Sequence, residues 1–510
     1  MKKLPIGIST FSIIREEDYI YVDKTKEAYE LITNYKYTFL SRPRRFGKSL
    51  FLDTLFEIFR GNKELFKGLF IYDKWSFEKY PVIKISFSGD LRSPEGLKNR
   101  ILDILKRNQD NLKVKCDKNT PYDSCFEELI EKSYQKYKKG VVILIDEYDK
   151  AILDNLDQIE IAKENREILK SFYGIIKDND RYIKFVFLTG VSKFSKASIF
   201  SGLNNLRDIT LSPPFGNICG YTQEDIDNVF LPYLKGVNLD KLKEWYNGYY
   251  FLKDKVYNPF DILLFIDNHL QFDNYWFNTG TPSFLIKLFE KGTYNLAKFE
   301  NLKVSENLLD AFDIESITLE TVMFQSGYLT IKEVVRKRLR SEYILTFPNL
   351  ETKISFNDYL LTFLVKNTVI KNEIQSMLID IFENANLDKL KDILQSLFAS
   401  IAYNNFSNNY IQNYEGFYSS VIYAYFAGAG FDKVIAEDVT NDGRIDLSIF
   451  IDKKVFILEF KVDGKGALEQ IKEKEYFKKY LQNYEEVYII GIEFDSKSRN
   501  LTDFKWERVK

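Results

Sequence analysis

In the first half of the chain, short runs of apolar residues alternate with longer stretches in which apolar residues recur every three or four positions. Runs of the first kind are typical of buried parallel strands, and stretches of the second kind are typical of covering helices. The best strand candidates are residues 37–40, 82–87, 141–145 and 185–188. This alternation predicts a parallel sheet with crossover helices over residues 1–280.

Beyond residue 280 the pattern becomes mainly helical, with a strand pair predicted at 328–331 and 341–347. Amphipathic helices are predicted within 353–410, for instance at 358–365 and 387–398. A compact α/β unit then begins near Gln412. We therefore expect an α/β protein with domains at 1–280, 281–410 and 411–510, of which the second is a mainly helical linking region with a winged-helix-like part.

The composition limits the kinds of catalytic and metal sites that the chain can form. The 510 residues include one histidine, His269, and three scattered cysteines, Cys116, Cys125 and Cys219. Zinc sites of the His/Cys type and Ser-His-Asp triads are therefore nearly excluded. The cysteine pattern favours reduced thiols and a cytoplasmic location, and no signal peptide is expected. No membrane span is expected either, because the longest uncharged stretch, 393–414, is too polar.

The net charge is −2, from 72 basic and 74 acidic residues. This near-balance of charge does not indicate that the protein as a whole binds nucleic acid. Any contact with DNA or RNA must come from local basic patches.

Residues 41–49, with the sequence SRPRRFGKS, follow the first predicted strand and precede a helical run at 50–59. Backbone amides at such a helix start favour phosphate, and we expect Arg45, Phe46 and Gly47 to form the phosphate-binding turn. Lys48 would reach the β- and γ-phosphates, and the Ser49 hydroxyl would join the Mg²⁺ shell.

One position departs from the usual phosphate-binding loop, which has a glycine five residues before Gly47, where this chain has Arg42. The loop arginines Arg42, Arg44 and Arg45 could add charge near the phosphates. Alternatively, they could contact the nucleotide of another subunit, which would imply a homo-oligomer.

Residues 141–147, VVILIDE, form an apolar strand that ends in two acids. Asp146 can hold Mg²⁺ through water, and Glu147 can orient an attacking water. Thr189, at the end of the next strand, could sense the γ-phosphate. The alternative is a buried strand followed by a solvated acidic turn, but both motifs together, each after a strand, favour ATP binding and hydrolysis.

The last hundred residues carry a second constellation, in which GRID ends at Asp446 and ILEFK ends at Lys461. Side chains alternate along a strand, so Glu459 and Lys461 point to the same side. If the two strands are neighbours, Asp446 can meet them. Two carboxylates can hold Mg²⁺ or Mn²⁺, and a lysine beside them can position a water for phosphodiester hydrolysis. The alternative is an ordinary charged pair at a strand end.

These motifs carry a resemblance to a bacterial family of AAA-ATPase-like proteins fused to a C-terminal nuclease-like domain of the PD-(D/E)XK superfamily. The further matching segments are YVDKT at 21–25, LIDEYD at 144–149, WYNGY at 245–249, WFNTGTP at 276–282 and QSGYLT at 325–330. The resemblance implies an N-terminal P-loop ATPase and a C-terminal restriction-endonuclease-like fold. It also implies that Asp446 and Glu459 are metal ligands, Lys461 is the catalytic lysine and Glu415 is an extra acid. Gln470 falls on the following helix, where the superfamily often has a glutamine.

Two hypotheses follow. In the first, the chain is an ATP-dependent or ATP-regulated nuclease that uses Mg²⁺ or Mn²⁺ to hydrolyse DNA. In the second, it is an ATP-switched scaffold or signalling protein whose nuclease-like end binds nucleic acid or a partner without cutting. A helicase or translocase is less favoured, since the sequence has no second motor domain. The first two hypotheses differ in one property: a nuclease must bind a divalent cation through Asp446 and Glu459, whereas a scaffold need not.

Overall fold

The structure is a computed structural model that describes residues 1–89, 91–117, 120–193, 199, 203, 205–277, 285, 288, 296–306, 309, 315, 317–338, 340–365, 368–400, 415–431, 433–441 and 443–510. The chain forms two compact units. Unit 1 comprises Met1–Gly280 and Val304–Tyr343, and unit 2 comprises Thr281–Lys303 and Ile344–Lys510.

Unit 1 is built on a parallel sheet of five strands, with the order β2-β3-β4-β1-β5. The strands are β1 (Tyr37–Ser41), β2 (Val82–Ser86), β3 (Val141–Asp146), β4 (Ile183–Gly190) and β5 (Arg207–Asp208). The predicted α/β class and the four predicted strands are confirmed. The fifth strand has only two residues, too few to produce an apolar run. Because the strands are parallel, the carboxyl ends of β1, β3 and β4 share one edge of the sheet.

Helices cover this sheet, and their ends follow from local sequence. For instance, α3 begins after Gly47 and ends before Gly61, and both glycines are in the left-handed region. Ser93 caps α4 by accepting a hydrogen bond from Gly96 N. The helices of this part are α1 (Phe11–Glu16), α2 (Thr25–Asn34), α3 (Lys48–Arg60), α4 (Pro94–Leu112), α5 (Tyr122–Tyr137), α6 (Lys150–Leu153), α7 (Ile159–Asp178), α8 (Gln223–Asp225), α9 (Leu239–Tyr246) and α10 (Pro259–Asp267).

The remaining elements of unit 1 are a small hairpin and a helix followed by a strand pair. They comprise β6 (Tyr249–Tyr250), β7 (Lys255–Val256), part of β8 (Leu302–Ser305), α11 (Leu319–Ser326), β9 (Thr330–Lys337) and part of β10 (Arg340–Thr346). The strand pair was predicted to begin at residue 328, but it begins at Thr330, since Gly327 with a φ of 94° first ends α11. The chain passes from one unit to the other within β8 and again within β10. The winged-helix-like part stays a prediction, as do the three domain boundaries.

Unit 2 begins with helices and ends with a mixed sheet. Its helices are α12 (Leu350–Val365), α13 (Thr368–Glu383), α14 (Leu390–Ser400), α15 (Glu415–Ala429) and α16 (Ala467–Glu473). Its strands are β11 (Lys433–Thr440), β12 (Gly443–Ile451), β13 (Lys454–Val462), β14 (Glu486–Asp495) and β15 (Asn500–Arg508). They are ordered β11-β12-β13-β14-β15, and only β13 and β14 are parallel. One face of this sheet packs against α16 through Leu468 and Ile471.

The cysteine prediction is wrong in part. Cys116 and Cys125 form a disulfide with their Cα atoms 5.5 Å apart. Cys219 is a buried free thiol. Among the described residues, no helix is both long and apolar enough to cross a membrane. Gln412, with residues 401–411 of the uncharged stretch and residues 278–282 of the WFNTGTP segment, lies outside the described residues.

Candidate nucleotide and metal sites

A cavity of about 430 Å³ lies at the carboxyl edge of the unit 1 sheet. It is lined by three groups of residues that are distant in sequence but adjacent at this edge. Gly47, Lys48 and Ser49 come from the loop after β1, Asp146 and Glu147 from the end of β3, and Gly190 and Val191 from the end of β4. The structure therefore brings the two sequence motifs of unit 1 together around one space.

Within the loop, Gly47 has a φ of 89°, and a Cβ atom built on it would have nothing within 4 Å. Arg45 also has a positive φ, 67°, and its exposed guanidinium lies 4.8 Å from the centre of the Phe260 ring. The side chain of Phe46 is buried in the core rather than directed into the cavity. If Phe46 contributes to phosphate binding, it does so through its backbone.

Arg42 has a role that its position in the loop did not suggest. Its side chain is 1% exposed, and its guanidinium donates hydrogen bonds to the carbonyl oxygens of Ser41 (2.9 Å), Thr210 (2.7 Å) and Phe215 (3.2 Å). The guanidinium carbon also lies 3.9 Å from the centre of the Phe251 ring. Burial lowers the pKa of Arg42 to about 10, so the group stays charged at neutral pH. The expectation that Arg42 contacts phosphate or another subunit is wrong, because its guanidinium is enclosed by its own fold.

Lys48 is buried, and its ammonium donates to the carbonyl oxygens of Arg42 (2.9 Å) and Pro43 (2.8 Å). Burial lowers the pKa of Lys48, while the nearby Asp146 carboxylate opposes this change. A phosphate is a stronger acceptor than a neutral carbonyl. The ammonium is thus already at the loop, where it can exchange these carbonyls for phosphate oxygens.

The two acids after β3 differ in environment. Asp146 is buried, and its Oδ1 accepts a hydrogen bond from the backbone N–H of Glu147 at 3.0 Å. Glu147 adopts a φ of 53°, a conformation that non-glycine residues adopt at a cost and that is common at functional sites. Burial raises the pKa of Glu147, and the neighbouring Asp146 carboxylate raises it further. A carboxylate with a raised pKa is a better proton acceptor when ionised.

Thr189 does not line the cavity. Its fully buried hydroxyl donates to the carbonyl oxygen of Leu40 at 3.0 Å, and it thereby ties β4 to β1. The next residues are held by Asp149, whose Oδ2 accepts hydrogen bonds from the backbone N–H groups of Val191 and Ser192. Gly190 is required here, since a Cβ would lie 2.5 Å from Asp149 Oδ1. Asp149 belongs to the matching segment LIDEYD, but the sequence alone does not indicate that it positions these residues.

Sequence reasoning also missed the apolar wall of the cavity. Part of it is the N-terminal segment, which contributes Pro5, Gly7 and Ile8. The other part comprises Tyr221, Pro259, Phe260 and Leu263. Apolar and aromatic surfaces of this kind suit the ring of a nucleotide base. These residues lie far from the loop motif, and no local signal marks them.

In unit 2, Asp446 and Glu459 lie on the adjacent antiparallel strands β12 and β13. Leu447 pairs with Leu458, and one further step in the same register places Asp446 opposite Glu459. Asp446 Oδ2 accepts a hydrogen bond from the backbone N–H of Phe460 at 2.8 Å, which fixes the aspartate beside its partner strand. The register therefore places Asp446 and Glu459 side by side on adjacent strands, and their role as a metal site stays a prediction.

Gln470 contacts one of these two acids. It lies on α16, and its amide donates a hydrogen bond to Oε1 of the buried Glu459. The helix can approach because Gly491, the register partner of Glu459 on β14, has no side chain, and a Cβ there would collide with the backbone of Leu468. Gln470 thus orients the glutamate, a role that depends on tertiary packing.

Lys461 is half-buried, two residues after Glu459, and it forms no ion pair within the described residues. Glu415 begins α15, but its side chain lies outside the part of the chain that is described. In that part, no group of three or more His, Cys, Asp or Glu side chains is placed to hold a metal. The Asp446 and Glu459 oxygens are hard donors that fit Mg²⁺ or Mn²⁺, with water or backbone carbonyls as further ligands.

Comparisons with known proteins agree with this architecture. A family model described as Predicted AAA-ATPase matches residues 5–200, and one described as PD-(D/E)XK nuclease superfamily matches residues 413–504. An uncharacterized protein in the vnfD 5′ region of Azotobacter chroococcum mcd 1 is 44% identical over 515 residues. This alignment covers 100% of the present chain and 99% of that protein.

Proposed function

Because the chain belongs to the family of AAA-ATPase-like proteins with a C-terminal domain of the PD-(D/E)XK nuclease superfamily, we propose that it binds and hydrolyses ATP and is a nuclease. We further propose that the nuclease uses Mg²⁺ or Mn²⁺, acts on DNA phosphodiesters and is controlled by the bound nucleotide. The observation that carries the nuclease assignment is the placement of Asp446 opposite Glu459, with Gln470 bonded to the glutamate.

In unit 1, the triphosphate would be bound by the Gly47 turn and the Lys48 ammonium, and the base would lie against the apolar wall of the cavity. Ser49 and Asp146 would hold Mg²⁺, which neutralises charge on the phosphate oxygens. Glu147, at the cavity with a raised pKa, would accept a hydrogen bond from the attacking water and orient it.

In unit 2, Asp446 and Glu459 would hold the divalent cation that supplies charge neutralisation at the scissile phosphate. Gln470 would keep Glu459 in its orientation, because its amide hydrogen bond fixes one carboxylate oxygen. The Lys461 ammonium, two residues along the same strand face, would hydrogen-bond and position the attacking water.

ATP binding is tested by titrating the full chain with a fluorescent ATP analogue. Lys48→Ala is expected to weaken binding at least tenfold, since it removes the charged contact to the phosphates. The control is Lys26→Ala, which removes an exposed lysine outside the cavity. Equal affinities of the two variants would contradict the nucleotide half of the proposal.

Metal binding is tested by calorimetric titration of nucleotide-free protein with Mn²⁺. Glu459→Gln should abolish binding at this site, whereas Glu469→Gln, which changes an exposed glutamate on α16, should leave it intact.

One observation favours the second candidate function, an ATP-switched scaffold whose nuclease-like unit binds nucleic acid or a partner without cutting. The described residues offer only two converging acids and no larger ligand group. If Mn²⁺ does not bind through Asp446 and Glu459, the scaffold function replaces the nuclease.

A further inference from the structure

Unit 1 contains a second cavity, of about 600 Å³, whose lining is strongly basic. It lies along β2, the edge strand of the sheet, and α4 forms its other wall. From the strand side, Val82, Lys84 and Ser86 line it at alternate positions, as one face of a strand requires. We call this cavity the edge groove.

The α4 wall shows the corresponding helical periodicity. Arg100, Ile104, Arg107, Asn108 and Asn111 line the edge groove, at the spacing of one helix face. Asn108 bridges the two walls, because its amide accepts from the backbone N–H of Lys84 and donates to the carbonyl of the same residue, each at 2.9 Å.

Five cations line the edge groove, and the lining includes no carboxylate. Lys84 is paired with Asp53 at 2.5 Å. The other four, within the described residues, make no ion pair; they are Arg60, Lys79, Arg100 and Arg107. The whole chain, by contrast, has a net charge of −2. A concentration of unpaired cations in one concave surface attracts anions.

Arg100 adds a second observation. It donates one hydrogen bond, from a terminal nitrogen to Ser88 Oγ at 2.8 Å. Its Nε is buried and has no hydrogen-bond partner among the described residues. A guanidinium N–H without an acceptor is costly in a folded protein, and a phosphate oxygen would be a suitable acceptor.

The cations are not gathered at one point. Arg100 and Arg107 lie seven residues apart on α4, which is about 10 Å along the helix axis at 1.5 Å per residue. A single compact phosphate cannot contact cations over such a length, whereas the repeated phosphates of a nucleic-acid strand can. Aromatic side chains accompany the cations, namely Phe56, Tyr80 and Tyr137, of which Tyr137 is 39% exposed. Cations interleaved with aromatic rings are typical of single-strand binding.

We infer that the edge groove binds the phosphodiester backbone of a single nucleic-acid strand. Arg60, Lys79, Arg100 and Arg107 contact the phosphates, and the aromatic side chains stack on bases. The choice of nucleic acid rather than a free phosphate compound as the ligand rests on the proposed function. It requires no cleavage.

The test uses the full chain without nucleotide in EDTA, so that no cleavage occurs, and a 5′-fluorescein-labelled 20-nucleotide single strand. Anisotropy gives Kd between 50 and 300 mM salt. The test variant replaces Arg60, Arg100 and Arg107 by Gln. Each lost contact should lower the salt slope by about 0.7 and weaken binding about fivefold at 0.1 M salt, so the triple variant should lose roughly 100-fold.

The matched control removes three exposed cations of unit 1 that do not line the edge groove, by replacing Lys26, Arg181 and Lys235 with Gln. Its affinity should stay within about threefold of wild type, because distant exposed charges are screened at 0.1 M salt. Retained binding of the ATP analogue by both variants shows that unit 1 is folded. If the triple variant does not fold, Arg107→Gln alone replaces it in the test, and its affinity for the strand should be about fivefold weaker than that of the wild type.

Equal effects of the two triple variants would overturn the inference, as would a wild type that does not bind the strand. The inference is also overturned if inorganic triphosphate, at matched phosphate concentration, displaces the strand completely, because the ligand is then a free phosphate compound. Groove-dependent binding by a protein that never cuts would support the inference while contradicting the nuclease proposal, so the two failures are distinguishable.

Discussion

Replacing Arg42 by glycine would restore the residue that the usual phosphate-binding loop has at this position, yet we expect it to destabilise unit 1. The guanidinium is buried and bonded to three carbonyl oxygens. Hydrogen bonds from a charged donor are worth about 1.5 kcal/mol or more each, and a desolvated stack such as that on Phe251 about 1–2 kcal/mol. The loss therefore totals about 6 kcal/mol.

Part of this loss is offset. Burial lowers the pKa of Arg42 to about 10, and removal of that buried charge returns about 3 kcal/mol at 1.36 kcal/mol per pKa unit. The net destabilisation is then about 3 kcal/mol, which corresponds to a decrease in Tm of roughly 4 °C for a unit of this size.

Thermal unfolding of the full chain followed by tryptophan fluorescence is a suitable assay. Three of the four tryptophans, Trp75, Trp245 and Trp276, belong to unit 1. The control is Arg44→Gly, at an exposed position two residues further along the same loop, where the same gain of backbone freedom occurs without loss of buried bonds. If Arg42→Gly melts within 2 °C of Arg44→Gly, the buried guanidinium does not stabilise the loop and the reasoning fails.

Three further predictions concern single side chains. Burial raises the pKa of Glu147, so ATPase activity should decline, as pH falls, at a higher pH than the usual glutamate pKa near 4.5 would give. A pH–rate profile whose acid limb lies at or below pH 4.5 contradicts this. Gln470→Ala removes the hydrogen bond to Glu459 and should weaken Mn²⁺ affinity about tenfold in calorimetry, an effect that Gln470→Glu should not rescue. Gly491→Ala places a Cβ against the backbone of Leu468 and should destabilise unit 2 by about 2 kcal/mol in urea unfolding; an unchanged midpoint would show that α16 can move away.

The sequence was sufficient wherever the determining signal was local. The apolar runs at 37–40 and 141–145 predicted buried strands, and the residues after each run carried the site motifs. In unit 2, alternation along β13 placed Glu459 and Lys461 on one face, and only the pairing with the Asp446 strand had to be assumed. Local pattern was therefore sufficient to predict the strands and to propose both candidate sites.

Features that depend on tertiary packing could not be predicted. Arg42 follows β1 in a loop rich in charge, and nothing local shows that its guanidinium turns inward to Thr210 and Phe215. Thr189 ends a strand where a γ-phosphate contact is common, but its hydroxyl donates a hydrogen bond to the Leu40 carbonyl on the neighbouring β1 instead. The edge groove is likewise assembled from β2 and one face of α4. Its positive charge cannot be recognised from the composition, because the net charge of the whole chain is near zero.

The central claim is most directly tested by cleavage of linear and circular DNA in the presence of Mg²⁺ or Mn²⁺, with and without ATP. The account predicts metal-dependent cleavage by the wild type that Lys461→Ala abolishes, while Lys465→Ala, an exposed lysine four residues further, retains it. It also predicts that ATP alters the rate for the wild type but not for Lys48→Ala. Absence of cleavage with every metal and nucleotide, or equal cleavage by Lys461→Ala, would contradict the account.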